Sequence, residues 1–353
     1  MVEKYQIPAL RDKFFDDIAP HTKVKDDKID NYGFDMSTKN FTVFVNIDWY
    51  KELQKYEPER HIDIVTYSIF DKGYLKDILY HKQSVNIIVS DKFQRMQEYE
   101  GLVQALSGDI VFKPRNSTHA KIVLIEPNIV YLSSQNINKP DWFNWAIKID
   151  DKVVYRFYKK QIEDQNYSNA IDKTKNLFKL GSSGLTLSEE VSTSTVESAS
   201  KTIPTATIKY SYGLNWGTKL NGYRKDNPKF IICSYTLPKL HYIKKILNNL
   251  FEGEYNVDIT LIVNSIAKNH LDEVLDKFPQ IKGMHAPNIH GKMVLVETNT
   301  CAGNKYYKTW LSSQNFGTSG WFENTIRVKG INTYRFFYNE LDKFTNGFIS
   351  EEL

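Results

Sequence analysis

Two distant stretches of this 353-residue chain are written to one pattern. "HAKIVLIEPNIVYLSSQN" runs from His119 to Asn136, and "HGKMVLVETNTCAGNKYYKTWLSSQN" from His290 to Asn315. Each has a histidine, a lysine two residues later, an apolar run of strand character and then Ser-Ser-Gln-Asn. Repetition on this scale marks an internal duplication, which limits the chain to folds built from two like halves.

The surrounding elements agree. Before the first pattern, "HIDIVTYSIF", "SVNIIVS" and "DIVFKP" read as strands, and "DKGYLKDILYHK" and "DKFQRMQEYEGLVQAL" as helices between them. Before the second, "KFIICSY" and "VDITLIV" read as strands, with "LPKLHYIKKILNNLF" and "NHLDEVLDKF" as helices. This alternation predicts an α/β fold. Ser134 matches Ser313, Asn136 matches Asn315, Trp142 matches Trp321 and Phe143 matches Phe322, all at one offset. The histidines sit eight residues closer together, a difference assigned to a longer hairpin turn at Glu297–Asn304 than at Glu126–Asn128. Between the halves lies "GSSGLTLSEEVSTSTVESASKTIPT", dominated by Ser and Thr, which reads as a linker or loop. The expected organisation is an N-terminal segment 1–40, a first half 41–180, a linker 181–205 and a second half 206–353.

Side chains two apart on a strand share a face. His119 with Lys121, Ser134 with Asn136, and their counterparts His290, Lys292, Ser313 and Asn315 would then offer two of each group to one surface. That inventory suits an anionic phosphodiester. Lysines neutralise the non-bridging oxygens, and hydroxyls and carboxamides donate to them. One imidazole attacks phosphorus while the other protonates the leaving oxygen. The donors are not a hard-metal set, so neither a metal nor another cofactor is implied. A third His-x-Lys, at His21–Lys23, lacks the tetrad and reads as a solvated segment.

In these residues the sequence resembles the phospholipase D superfamily, whose signature is His-x-Lys, four residues, Asp, six residues, then Gly-Ser-x-Asn. The resemblance spans roughly residues 40–331. It departs at the motif's Asp, here Glu126 and Glu297, and at its Gly, here Ser133 and Ser312. It implies two mixed β-sheets flanked by helices, related by a pseudo-two-fold axis, with one active site at the seam and complete in one chain. It also implies cross-half support of each histidine by a downstream residue: Glu323 for His119 and Asn144 for His290. A carboxylate behind His119 favours that histidine as nucleophile and His290 as general acid. The tyrosyl-DNA phosphodiesterases of this superfamily look similar in having an amide in the first half and an acid in the second.

Other residues read as follows. Lys113 and Arg115 are candidates to extend the anionic site, and Trp142 and Trp321 to stack on bases. "YGLNWG" (212–217) reads as a loop with a buried tryptophan, and "HYIKKIL" (241–247) as the wet face of a helix. The remaining histidines read as structural, with His285 near enough to His290 to line its pocket. The net charge of +4 fits a polyanionic partner, DNA before RNA. No apolar run reaches the ~20 residues of a membrane span, and the N-terminus lacks a signal-peptide pattern, so a cytoplasmic enzyme is expected. From the residues alone three readings stay open: a nuclease or DNA-end phosphodiesterase, a phospholipid phosphodiesterase or phosphatidyl transferase, and an inactive nucleic-acid-binding module.

Overall fold

The computed structural model describes residues 35–38, 41–69, 71–90, 110–115, 118–163, 197–204, 206–211, 215–253, 255–299, 303–317 and 323–350. His21–Lys23, the helix expected at 91–106, most of the linker and Trp321 lie outside them.

The first half contributes β2 (Phe41–Val45), α1 (Trp49–Leu53), β3 (Ile62–Thr66), α2 (Lys72–Leu79), β4 (Val85–Ser90), β5 (Ile110–Arg115), β6 (Lys121–Ile125), β7 (Ile129–Ser133), β8 (Trp145–Asp150) and α3 (Lys152–Glu163). The second repeats this order with β10 (Ala206–Ser211), α4 (Trp216–Asn221), β11 (Lys229–Ser234), α5 (Leu240–Phe251), β12 (Asp258–Asn264), α6 (Lys268–Lys277), β13 (Lys282–Ala286), β14 (Lys292–Asn299), β15 (Lys305–Ser312), β16 (Thr325–Lys329) and α7 (Ile331–Phe344). Two further strands are β1 (Asp35–Thr38) and β9 (Ala199–Ile203).

Two eight-stranded mixed sheets result, in the orders β5-β4-β3-β6-β7-β8-β2-β9 and β13-β12-β11-β14-β15-β16-β10-β1. Strand for strand the orders correspond. The outer strand of each comes from elsewhere. β1 directly precedes β2 in the chain but pairs with β10 of the other sheet, Asp35 opposite Lys209. β9 directly precedes β10 but pairs with β2, Ile203 opposite Phe41. The halves thus exchange their first strands. This corrects the expected boundaries: 199–203 belongs to the first sheet rather than to a linker, and 35–38 belongs to the second sheet rather than to a separate N-terminal segment. Ile203, the apolar residue that ends "ASKTI", is buried in the shared core and anchors the exchange.

Alternation along the strands separates two kinds of core. Ile122, Leu124, Leu132 and Ile147 of one sheet and Met293, Leu295, Leu311 and Ile326 of the other join a central core with residues of α3 and α7. Residues of opposite parity, such as Val123 and Tyr131, pack under α1 and α2. Val294 and Trp310 pack under α4 and α5 in the same way. On α5, Ile243, Ile246, Leu247 and Leu250 are buried and His241 and Lys245 exposed, the amphipathic pattern read from the sequence.

The repeat is also visible near the start of each half. Trp49, Leu53 and Tyr56 match Trp216, Leu220 and Tyr223, the first two of each set on one helix face and the tyrosine just past the helix end. Trp49 Nε1 donates to Asn136 O (3.2 Å) and Trp216 Nε1 to Asn315 O (3.1 Å). The tryptophan of "YGLNWG" is therefore a buried peg, as expected, although it opens a helix capped by Asn215 instead of lying in a loop. The longer second hairpin lengthens its strands as well as its turn, β14 and β15 having eight residues each against five in β6 and β7. No described helix is long and apolar enough to cross a membrane.

Candidate active site

β6 and β14 lie centrally in their sheets, and each histidine sits two residues before its strand begins. The seam is stitched by the residues after Asn144 and Glu323. Trp145 Nε1 donates to Lys292 O (3.1 Å) and Ser312 O (3.0 Å). Reciprocally, Asn324 Oδ1 accepts from Lys121 N (2.8 Å) and Asn324 Nδ2 donates to Ser133 O (3.2 Å). The Phe143 carbonyl accepts from the backbone of both His290 and Gly291 (3.0 and 2.6 Å). A side chain at Gly291 would meet that carbonyl at 3.3 Å, which accounts for glycine here. The backbone after His119, and on both sides of His290, is therefore held by the opposite half.

Support of the histidines also crosses the seam. His119 Nδ1 lies 3.1 Å from Glu323 Oε2, and His290 Nδ1 lies 2.9 Å from Asn144 Oδ1. Behind these, Ser313 Oγ donates to Glu323 Oε2 (2.5 Å) and Ser134 Oγ to Asn144 Oδ1 (3.0 Å). Each serine also accepts a backbone N–H, from Asn324 and Trp145 respectively (both 3.0 Å). Asn144 Nδ2 donates to Trp142 O (3.2 Å), which fixes the amide with its oxygen toward His290. A carboxylate and an amide oxygen only accept, so both imidazoles carry their proton on Nδ1 and present Nε2 as the basic atom.

This corrects the expected role of the hydroxyls. Ser134 and Ser313 are fully buried and spent on Asn144 and Glu323, so they position the supports instead of donating to a substrate. Ser133, Ser312 and Asn136 are likewise engaged locally. Ser133 and Ser312 accept from Gln135 N (2.7 Å) and Gln314 N (3.0 Å), closing a turn in which the serine replaces the motif's glycine without strain. Asn136 Oδ1 accepts from Thr66 Oγ1 (3.1 Å) and Tyr67 N (3.3 Å), and its Nδ2 donates to Ser68 Oγ (3.2 Å). It holds the chain after β3 and is not a free carboxamide. Asn315 Oδ1 is buried without a hydrogen-bond partner among the described residues.

Each lysine folds back over its histidine's peptide: Lys121 Nζ donates to His119 O (2.6 Å) and Lys292 Nζ to His290 O (2.7 Å). Both lysines are buried. Burial pushes Lys121 down to about 7, with Glu323 opposing, and pushes Lys292 well below its ordinary value, with Lys121 adding to the effect. Burial, with Lys121 beside it, pushes His119 down to about 4 although Glu323 opposes. His290 is pushed well below its ordinary value by burial and by Lys292, Lys121 and His119. Burial tends to raise the Glu323 carboxyl, but His119, Lys121 and Ser313 hold it below the usual carboxylate value. Four basic groups thus compete for protons around one carboxylate. An anion entering the cluster would relieve that competition and let the lysines charge.

The residues at the motif's Asp positions lie away from it. Glu126 is five residues along β6 from Lys121, about 16 Å at strand rise, and accepts from Tyr155 on α3 (3.4 Å). Glu297 pairs with Lys305 across its hairpin (2.6 Å). Both secure hairpins rather than histidines. Lys113 and Arg115 lie on β5, the third strand from β6, with β4 and β3 between. His285 is exposed and bonds Ser265 Oγ (3.2 Å), so it does not join the cluster. Trp142 does, its ring centre 6.0 Å from that of His290.

Two tyrosines were missed. Tyr67 meets His119 edge to face at 5.2 Å, and Tyr235 meets His290 in the same way at 5.1 Å. Lys121 and Lys292 lie 5.9 and 5.4 Å from the centres of these rings. The signal was legible: β3 and β11, corresponding strands of the two halves, each end in a hydroxyl residue followed by tyrosine, Thr66-Tyr67 and Ser234-Tyr235.

No family model matches the sequence, and none of the curated proteins compared matches it. Among solved structures, yeast tyrosyl-DNA phosphodiesterase is similar at 8% identity and a TM-score of 0.45, covering 81% of this chain and 89% of that chain. A mutant of the same yeast enzyme is similar at 9% identity and a TM-score of 0.45, covering 84% of this chain and 90% of that chain. The two His-x-Lys segments occupy corresponding positions in the two sheets, each leading into the central strand β6 or β14.

Proposed function

We propose that this protein is a phosphodiesterase that cleaves nucleic acid, DNA in preference to RNA, by two-step phosphoryl transfer through a phosphohistidine. The observation that carries the reading is the crossed support of the two histidines, a carboxylate behind His119 and an amide behind His290.

His119 Nε2 attacks phosphorus as the bond to the leaving oxygen breaks, and His290 gives that oxygen a proton. Glu323 stabilises the cation that forms on His119, as the carboxylate does in a Ser-His-Asp triad. Asn144 orients His290 without adding charge, so an imidazolium there gives up its proton readily. In the second step neutral His290 takes a proton from water and the water oxygen attacks phosphorus. The P–N bond then breaks and returns its electron pair to His119. Lys121 and Lys292 charge as the phosphate enters and neutralise its non-bridging oxygens, the task that would otherwise fall to a metal. Every group named comes from one chain, so a monomer suffices.

The test is cleavage of fluorescent single- and double-stranded DNA in excess EDTA, with His119→Ala alongside. Cleavage that persists in EDTA and vanishes in the variant is expected. Cleavage abolished by EDTA, or retained by the variant, overturns the mechanism. Binding of DNA without cleavage of DNA, RNA or lipid phosphodiesters favours the inactive module.

A further inference from the structure

Trp142 and Tyr235 stand together beside His290. Their ring centres lie 5.9 Å apart at an interplanar angle of 41°, and lie 6.0 and 5.1 Å from the imidazole. The tilt makes a wall, since a slot gripping a flat group on both sides needs parallel rings. Trp142 comes from the first half and Tyr235 from the second, so the wall exists only at the assembled seam. It is registered to the histidine twice over. Trp142 O accepts from the same Asn144 amide that holds His290, and the next residue, Phe143, bridges to Ile289. Phe143 is fully buried, whereas Trp142 and Tyr235 are half-buried beside a cluster of buried basic groups. Lys292 Nζ lies 5.4 Å from the Tyr235 ring centre and packs that ring against the cluster.

Core packing alone would not leave two large rings partly open beside the general acid. We propose that Trp142 and Tyr235 form a stacking subsite for the first nucleobase on the leaving side of the scissile phosphate. The inference rests on the nuclease reading and on His290 protonating the leaving oxygen. It has a consequence for substrate class. In a duplex that base is paired and stacked on its neighbours, and the wall can take it only after it is drawn out. The preferred substrate is therefore unpaired: single strands, frayed ends or flaps. Tyr67, the equivalent ring beside His119, lies on the nucleophile's side and supplies an internal control.

The test uses thymidylyl-thymidine, which has one scissile phosphate, and an analogue lacking the base on the leaving nucleoside. For the wild-type protein, removing that base should lower kcat/KM about 5- to 150-fold, the range of ~1–3 kcal/mol for one base on an aromatic ring. Tyr235→Leu and Trp142→Leu should lose activity on the intact dinucleotide by a similar factor and lose little more on the analogue. Tyr235→Phe should keep most of the wild-type preference. Tyr67→Leu should leave the ratio between the two substrates unchanged. A wild-type enzyme that cleaves both equally overturns the subsite and leaves the nuclease reading standing. Losses in Tyr235→Leu and Trp142→Leu that are the same on both substrates also overturn it, and show the rings to be structural. Failure to cleave any phosphodiester overturns the nuclease reading itself.

Discussion

His119 faces Glu323 at 3.1 Å with Ser313 behind the carboxylate, and His290 faces Asn144 at 2.9 Å with Ser134 behind the amide. The frames around them match: the lysine on the histidine's own carbonyl, the tyrosine at its ring edge, the serine accepting the next backbone N–H. What differs is one charge. A full charge about 4 Å away is worth about 4 kcal/mol at an effective dielectric of ~20, and an amide dipole only a fraction of that. Duplication supplied two equivalent imidazoles, and this one difference is enough to assign them different tasks. Among the described residues the His290 side has an amide and no carboxylate to hold a proton on its imidazole, and the His119 side has a carboxylate to steady a cation while it is bonded to phosphorus.

The largest effects should come from removing either imidazole. His119→Ala and His290→Ala should each lower kcat/KM by about 10⁴-fold or more, and the double variant should be little worse than either, as for groups that act as one unit. Additive losses would show that the halves work independently. A p-nitrophenyl leaving group, which departs without a proton, should separate the pair. His290→Ala should still release one equivalent in a burst, and His119→Ala should release none.

Glu323→Gln makes the two supports alike and should cost about 10²- to 10⁴-fold in kcat, the scale seen when a triad carboxylate becomes an amide. Because Glu323 raises His119 from the low value set by burial, the same variant should move the acid limb of the pH profile to lower pH. Asn144→Asp is the converse. It should cost less, about tenfold, by weakening His290 as an acid, and the cost should shrink at low pH, where the introduced carboxyl, once protonated, carries no more charge than the amide it replaces.

The wild-type pH profile follows from the free protein's cluster. As pH falls through about 4, His119 takes a proton and loses its nucleophilic lone pair. As pH rises through about 7, Lys121 loses the charge that draws the phosphate in. His290, held below its ordinary value by burial and its basic neighbours, loses the proton it must donate before Lys121 loses its charge, so kcat/KM should be highest at acid pH and decline toward and beyond neutrality. A rate that keeps rising from pH 7 to 9 would contradict the role given to Lys121. The lysine also links stability to pH. Its folded pKa lies below its unfolded value, so the unfolded chain binds more protons between about 7 and the ordinary lysine value, and this site favours folding more as pH rises through that window.

The smallest expected effects concern the seam. Trp145→Phe leaves two buried carbonyls, Lys292 O and Ser312 O, without their donor, at about 1–3 kcal/mol for each unsatisfied group. Asn324→Ala frees Lys121 N and Ser133 O on the other side. Denaturant unfolding should show both variants less stable, Trp145→Phe with its indole volume partly kept and Asn324→Ala with its amide lost outright. Unchanged midpoints would mean that the halves hold together without these bonds.

Much of the site was legible because duplication writes it twice. The histidines, the lysines and the asymmetry of Asn144 and Glu323 sit at fixed positions in matching frames, and strand parity places them at one end of each sheet. Parity did not reveal what lies behind a side chain. Ser134 and Ser313 point toward the seam as expected, but they meet the opposite half's support before any substrate could. Glu126 and Glu297 carry the motif's charge position yet sit a strand's length away. The strand exchange was illegible for another reason. "DMST" and "ASKTI" carry too few apolar residues to choose a partner by pattern, and edge strands need only one buried face. Which sheet each joins is decided by the assembled halves. The Trp49/Trp216 and Tyr67/Tyr235 pairs were present in the sequence but fall outside the motif, where residue types alone do not announce a shared place.

The most direct test of the account is to identify the phosphorylated residue. The His290→Ala variant has nothing to activate water and should accumulate a covalent adduct from a p-nitrophenyl nucleotide ester. Quenching in alkali and mapping peptides by mass spectrometry should place the phosphoryl group on His119, with no adduct in His119→Ala. An adduct on His290 in His119→Ala, with none in His290→Ala, would reverse the assignment and with it the meaning given to Glu323.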